Sequence, residues 1–210
     1  MSSTIDKFRT AEAILSGWGV AWIERDNFTT NAGSNIATSF KGVLNHHTGA
    51  WTTSDAMLYK DGNGTTPAPL CNLSVDKEGM ITFGTGLYAN HAGYNDKNAV
   101  LAIIAGSPLD SEIKPGKDDT NPKFSGNRYL IGIEVKCPGA YNEVQYSADV
   151  ALNAALVLAF GWSVTNPPVG AHKEITRRKP GDPGDDMAKF RRDVVAFIAE
   201  KTAQPVPTPE

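Results

Sequence analysis

From Ala171 to Gly184 the chain reads Ala171-His172-Lys173-Glu174-Ile175-Thr176-Arg177-Arg178-Lys179-Pro180-Gly181-Asp182-Pro183-Gly184, and this stretch constrains the fold more than any other. Proline removes a backbone donor and glycine weakens regular structure, so a segment this rich in both, and in charge, is no helix interior or central strand. It is expected to form an ordered functional loop, followed by a helix that begins near Asp185. Imidazole and carboxylate are both good zinc ligands, and a site built from His172 and Asp182 needs a third partner from elsewhere in the chain. Asn45-His46-His47-Thr48 is the expected source.

That tetrapeptide closes the run Phe40-Lys41-Gly42-Val43-Leu44, which predicts a buried strand delivering side chains at its C-terminal end, where open α/β sheets place their sites. Tyr129 to Val135 is the best strand in the chain and carries one carboxylate, Glu134, among apolar residues. Leu70–Val75 and Met80–Phe83 bracket Asp76-Lys77-Glu78-Gly79 and predict a β-hairpin. Val20–Ile23 suits a brief strand, Ser54–Lys60 a helical turn, and Tyr88–Tyr94 a polar loop, while Asn98–Ala105 is only weakly patterned. Apolar residues at Phe8, Ala11, Ile14 and Leu15 predict a short amphipathic helix over Asp6–Leu15. Val144–Trp162 reads as a deeply packed helix and Asp185–Lys201 as an amphipathic one with an acidic start. Ser107–Arg128 is expected to be a long exposed insertion. The Pro-rich Ala203–Glu210 reads as a linker leading to a further domain.

Composition serves mainly to exclude. The 210 residues, 40% hydrophobic, suffice for one domain with a real core. A net charge of -3 gives no global pull toward nucleic acid or anionic membranes. No apolar run reaches membrane-spanning length, and Met1–Phe8 lacks the basic and apolar regions of a signal peptide, so a protein made in a cytoplasm is expected. Cys71 and Cys137 have no partner at finger-like spacing and are assigned no chemistry.

The chain has four histidines: His46, His47, His91 and His172. Adjacent strand residues point to opposite faces, so only one of His46 and His47 is expected to bind a given ion. Two histidines and a carboxylate leave a tetrahedral zinc site with an open position, the pattern of a catalytic centre. Glu134 in its apolar strand has two readings: a side chain escaping to solvent, or a general base of raised pKa. Arg177, Arg178 and Lys179 either stabilise an oxyanion or belong to a solvated loop.

Taken in order, Asn45-His46-His47-Thr48, Asn90-His91-Ala92-Gly93, Ile131-Gly132-Ile133-Glu134 and His172 through Gly184 resemble the zinc-dependent N-acetylmuramoyl-L-alanine amidases. More narrowly, the set is similar to the type 2 amidase and peptidoglycan-recognition-protein superfamily, which includes bacteriophage endolysins. The resemblance spans about residues 40–200. It implies an α/β fold with a central mixed β-sheet flanked by α-helices and zinc in a surface groove. It also implies His46, His172 and Asp182 as zinc ligands, Glu134 as catalytic acid/base and Lys179 as the transition-state lysine. The family's lysine usually lies two residues before the third ligand. Here Pro180 holds that place, so either the loop bulges to bring Lys179 in or Arg178 shares the role. His91 and His47, with Arg178, fall at the substrate cleft, and for His91 the resemblance implies a structural or binding role, not ligation.

The implied reaction is hydrolysis of the amide between N-acetylmuramic acid and L-alanine in peptidoglycan. The resemblance implies muramyl peptides as partners, with no nucleic acid and no membrane insertion, and a monomer. It implies a catalytic domain over 1–202, and an endolysin held in the host cytoplasm until a holin releases it to the wall. Two other readings stand beside it: a non-catalytic peptidoglycan-binding module, and a zinc endopeptidase cutting within the stem peptide.

Overall fold

The structure, a computed structural model, describes residues 3–117 and 125–203. Six strands form one mixed sheet: β1 (Trp22–Glu24), β2 (Gly42–His47), β3 (Leu73–Val75), β4 (Ile81–Phe83), β5 (Leu130–Val135) and β6 (Val169–Ala171), in the order β1-β4-β3-β5-β2-β6. Every pairing is parallel except the β3–β4 hairpin, which turns through Asp76–Gly79 as expected. Strands β3, β5, β2 and β6 therefore run the same way and share one C-terminal edge.

Side chains alternate across the sheet. On one face, Val43, Leu73, Phe83, Ile131, Ile133, Val135 and Val169 meet helices α1 (Thr4–Gly17), α3 (Glu143–Phe160) and α5 (Met187–Ala203) in the main core. Phe8 of α1 stands edge-on to Phe28, Phe40, Phe83 and Phe160, at centroid distances of 5.4–6.4 Å. Edge-to-face geometry of this kind adds stability beyond burial alone. On the other face, Leu44 and Leu130 pack under α2 (Lys97–Ile104) and the single-turn α4 (His172–Ile175).

The helices form where their ends are satisfied. Ser3 and Asp6 bond reciprocally at the start of α1, and Asn142 and Gln145 do the same at α3, which stops at left-handed Gly161. Asp96 accepts the Ala99 amide and so starts a regular helix in the weakly patterned stretch. Helix α5 begins at Met187, two residues later than expected. Asp186 accepts the Lys189 amide and caps it, whereas the Asp185 carboxylate is occupied by the Tyr141 amide. The Ser54–Lys60 turn is a wide helical turn at Met57–Asp61.

One expectation needs correction and a second gains detail. The stretch from Ala171 is not wholly loop: Ala171 ends β6 and His172–Ile175 make one helical turn, because the Glu174 carboxylate accepts the Ala171 amide. The segment from Ser107 is largely exposed, as expected, with Pro108, Asp110, Ser111, Glu112, Lys114 and Lys117 at the surface, but its backbone is tied down. Arg191, completely buried on α5, donates to the carbonyls of Pro108 and Ser111 and pairs with buried Glu174 at 3.0 Å, while Glu174 also accepts the Ile113 amide. Gly116 is held by Asp96, and Gly126 and Asn127 are buried. The rest of that expected insertion, 118–124, and the linker expected over 203–210, apart from Ala203, lie outside the described residues.

The Arg191–Glu174 pair predicts a stability effect. Truncating Arg191 to Ala leaves a buried carboxylate without its counter-charge and several backbone acceptors without a donor. The expected loss is about 3–5 kcal/mol, measured as a lowered midpoint in denaturant unfolding.

Candidate metal centre

The register places the site. His46 pairs with Glu134, Glu134 with Ser74 and Ser74 with Thr82, so these four residues form one transverse row on the α2 side of the sheet. Asn45 pairs with Ala171, and His172, the next residue, continues the row past β6. Asp182 returns to this edge from the loop after α4, its carbonyl accepting the Lys173 amide at 2.7 Å.

His46 Nδ1 and His172 Nδ1 are 3.0 Å apart, and Asp182 Oδ2 lies 3.0 Å from His172 Nδ1 and 3.8 Å from His46 Nδ1. All three side chains are buried, and together they form a group whose ligand atoms converge closely enough to hold a metal ion. The other carboxylate oxygen, Oδ1, accepts the His47 amide at 2.8 Å, which orients Asp182.

Hydrogen bonding fixes which nitrogen of His46 carries its proton. The Leu130 carbonyl can only accept, so His91 Nε2, 3.1 Å away, is the donor and His91 Nδ1 is left as an acceptor. His46 Nε2, 3.1 Å from that acceptor, must then carry the His46 proton. The lone pair of Nδ1 consequently points at His172 and Asp182, as ligation requires. Burial also lowers the pKa of His46 to about 4, so the ring is neutral near pH 7. Burial likewise opposes the charge of Asp182, but the hydrogen bond from His172 and the neighbouring His46 ring outweigh it and hold its pKa below the usual carboxylate range. A neutral imidazole with an inward lone pair beside an ionised carboxylate is a donor set that suits a divalent cation.

His91 fits behind His46 because residue 132 is glycine: a Cβ there would stand 2.3 Å from His91 Cγ. Asn127 holds the segment carrying His91 by accepting the amides of His91, Ala92 and Gly93. Tyr141 donates its hydroxyl to the His46 carbonyl from the opposite face of the sheet.

Glu134 lines the cleft beside the three converging groups, with one carboxylate oxygen buried and unbonded. Burial raises its pKa well above the ordinary range and the Asp182 charge raises it further, while the Lys179 ammonium acts in the opposite direction. Arg178 is anchored through Thr176 Oγ1 and the Tyr94 carbonyl. His47 Nδ1 accepts the Gly49 amide, and its ring stays outside the converging group. The open cleft, about 400 Å³, is lined by His46, His47, His91, Glu134, His172, Arg178, Lys179 and Asp182, together with residues of the Thr48–Leu70 segment. Eight of the nine side chains singled out in the sequence thus border one cavity; Arg177 lies outside it and donates to the Pro115 carbonyl.

Sequence reasoning missed Asn127 and Tyr141. No local feature marks them, since the glycine at 132 reports only the close approach of His91.

A sequence model of the N-acetylmuramoyl-L-alanine amidase family matches residues 37–185. No curated protein matches the chain. Among solved structures, the fold is similar to the catalytic domain of XlyA, with a TM-score of 0.51 and 20% identity over 83% of this chain and 99% of that one. Another similar structure is the endolysin N-acetylmuramoyl-L-alanine amidase LysCS from Clostridium intestinale URNW, with a TM-score of 0.47 and 14% identity over 77% of this chain and 87% of that one. Among the described residues no helix is long and apolar enough to cross a membrane. The family match takes in β2, β5, β6, His46, Glu134, His172 and Asp182, and with it the chain belongs to the N-acetylmuramoyl-L-alanine amidases, hydrolases of an amide bond in peptidoglycan.

Proposed function

We propose that His46, His172 and Asp182 hold a zinc ion and that Glu134 moves the proton during hydrolysis of the bond between the lactyl group of N-acetylmuramic acid and L-alanine. The observation that carries this reading is the neighbouring position of Glu134 and His46 in one row of the sheet, both bordering the same cleft. Zinc bound there polarises the scissile carbonyl and makes water in the site more acidic.

The side chains divide the remaining work. Glu134, desolvated and beside the Asp182 charge, has a carboxyl of raised proton affinity, suited to taking a proton from water and passing it to the leaving amine. Lys179 and Arg178 bring positive charge to the side of the cleft where an oxyanion develops. His47 borders the cleft where substrate enters. Both ring nitrogens of His91 are engaged, by His46 and by Leu130, so its part is to orient His46. The biological setting in this reading is a phage endolysin, released from the host cytoplasm through a holin.

The test is mass spectrometry of purified peptidoglycan digested with zinc-loaded protein, beside a chelated control. Free stem peptides that begin with L-alanine, absent after chelation, are expected. New amino termini within the stem peptide would instead identify an endopeptidase, and retention on the wall without cleavage would identify a binding module.

A further inference from the structure

Six buried side-chain polar atoms lack a hydrogen-bond partner among the described residues, and three of them sit together behind the cleft: Glu134 Oε2, Ser74 Oγ and the Tyr59 hydroxyl. Ser74 is the register partner of Glu134, so the two side chains are neighbours on the same face. The Tyr59 phenol approaches Ser74 and Cys71 without closing a well-formed hydrogen bond to either. Its ring is fixed, because the backbone of Gly84 lies where a Cβ would meet Tyr59 Cε1 and the Arg25 guanidinium covers the ring at 5.2 Å.

Buried polar atoms are costly when unpaired, so three orphans in one place demand a common solution. Their donors and acceptors match in only one direction when Glu134 is ionised. The carboxylate can only accept, the serine hydroxyl can donate to it while accepting, and the phenol can donate to the serine. We infer that Tyr59 and Ser74 are positioning residues for Glu134, forming a one-way chain from the Tyr59 hydroxyl to Ser74 and from Ser74 to the carboxylate, directly or through one buried water. The chain holds the Glu134 carboxylate in one rotamer facing the cleft. Neither residue touches the substrate, and the inference rests on the reading of Glu134 as the proton carrier.

The experiment compares Tyr59→Phe, Ser74→Ala, Ser74→Thr and Glu134→Gln, alone and combined, on a soluble muramoyl peptide. Zinc content and thermal midpoint are measured alongside. Ser74→Ala is expected to lower kcat by about tenfold or more with KM unchanged, the size expected for losing one hydrogen bond to a charged group, and Tyr59→Phe, which loses a bond to a neutral hydroxyl, by about threefold to tenfold. Zinc content stays at the wild-type value, and Ser74→Thr recovers most of the rate. In the Glu134→Gln background the Ser74→Ala effect disappears. The infrared carboxyl band of Glu134, identified by its absence from the Glu134→Gln spectrum, is expected to shift in both single variants.

Unchanged kcat and an unmoved carboxyl band in Tyr59→Phe, which keeps the ring in place, would overturn the inference even if Ser74→Ala fails to fold. A rise in KM at constant kcat would overturn it too. Full activity in Glu134→Gln would instead remove the underlying reading of Glu134, a separate and distinguishable failure.

Discussion

Replacing Glu134 with Gln is expected to lower kcat by about a thousandfold, within the range that general acid–base catalysis contributes, while zinc remains bound. Glutamine keeps the shape of the side chain and can neither take nor give the proton. The substitution acts on stability in the opposite sense. In the folded, metal-free protein burial raises the Glu134 pKa, so the native state holds the carboxyl proton more tightly than the unfolded chain does. The stability this provides is complete below the unfolded value, about 4.3, and is lost as pH rises through the folded value. Glutamine does not titrate and removes this decline. The metal-free variant is therefore expected to match the wild type in acid and to exceed it progressively at neutral and alkaline pH, measured by denaturant titration at several pH values. Equal stability across that range would show that Glu134 is better solvated than its half-buried position at the cleft indicates.

Asp182→Ala is expected to remove metal and activity together. The carboxylate is the one formally charged member of the converging group, and it orders the loop by accepting the His47 amide. Its loss leaves only the two imidazoles, one of them already held to a single tautomer by His91. Since perturbing even the partners of metal ligands typically costs 10–100-fold in affinity, loss of the ligand itself is expected to cost more than a hundredfold. Metal that binds only the folded state stabilises it by about 2.7 kcal/mol at a free concentration a hundred times Kd. For a domain of this size that corresponds to a rise of about 5–10 °C in thermal midpoint. The wild type is expected to show this rise on addition of zinc, and Asp182→Ala to show none at the same concentration. A variant that keeps full zinc stoichiometry would exclude Asp182 as a ligand.

The parts of the molecule that local pattern could specify were legible. Strands β2 and β5 are apolar runs that end in ligand-type side chains, and α1 and α3 combine apolar spacing with polar caps. The β3–β4 hairpin has a turn sequence of the right length. What stayed hidden depended on partners far along the chain. Strand β6 has three residues and exists because β2 pairs with it. The segment after Ser107 is polar enough to suggest solvent, yet Arg191, about eighty residues later in sequence, satisfies its carbonyls. The charged and imidazole side chains that line the cleft were legible because histidine, aspartate and glutamate have restricted uses in apolar or rigid settings. Its supporting groups were not, since nothing local to Asn127, Ser74 or Tyr59 distinguishes them from ordinary surface or core residues.

The buried Arg191–Glu174 pair also has a consequence for timing. Every proposed metal ligand has been synthesised once residue 182 has left the ribosome, but Glu174, two residues after His172, then lacks its counter-charge. Until α5 emerges and docks, the turn that presents His172 is held to the sheet by Ile175 and the Asp96 amide but carries a carboxylate without its Arg191 partner. The packing behind the proposed centre is therefore completed late, by a helix that supplies none of the proposed ligands.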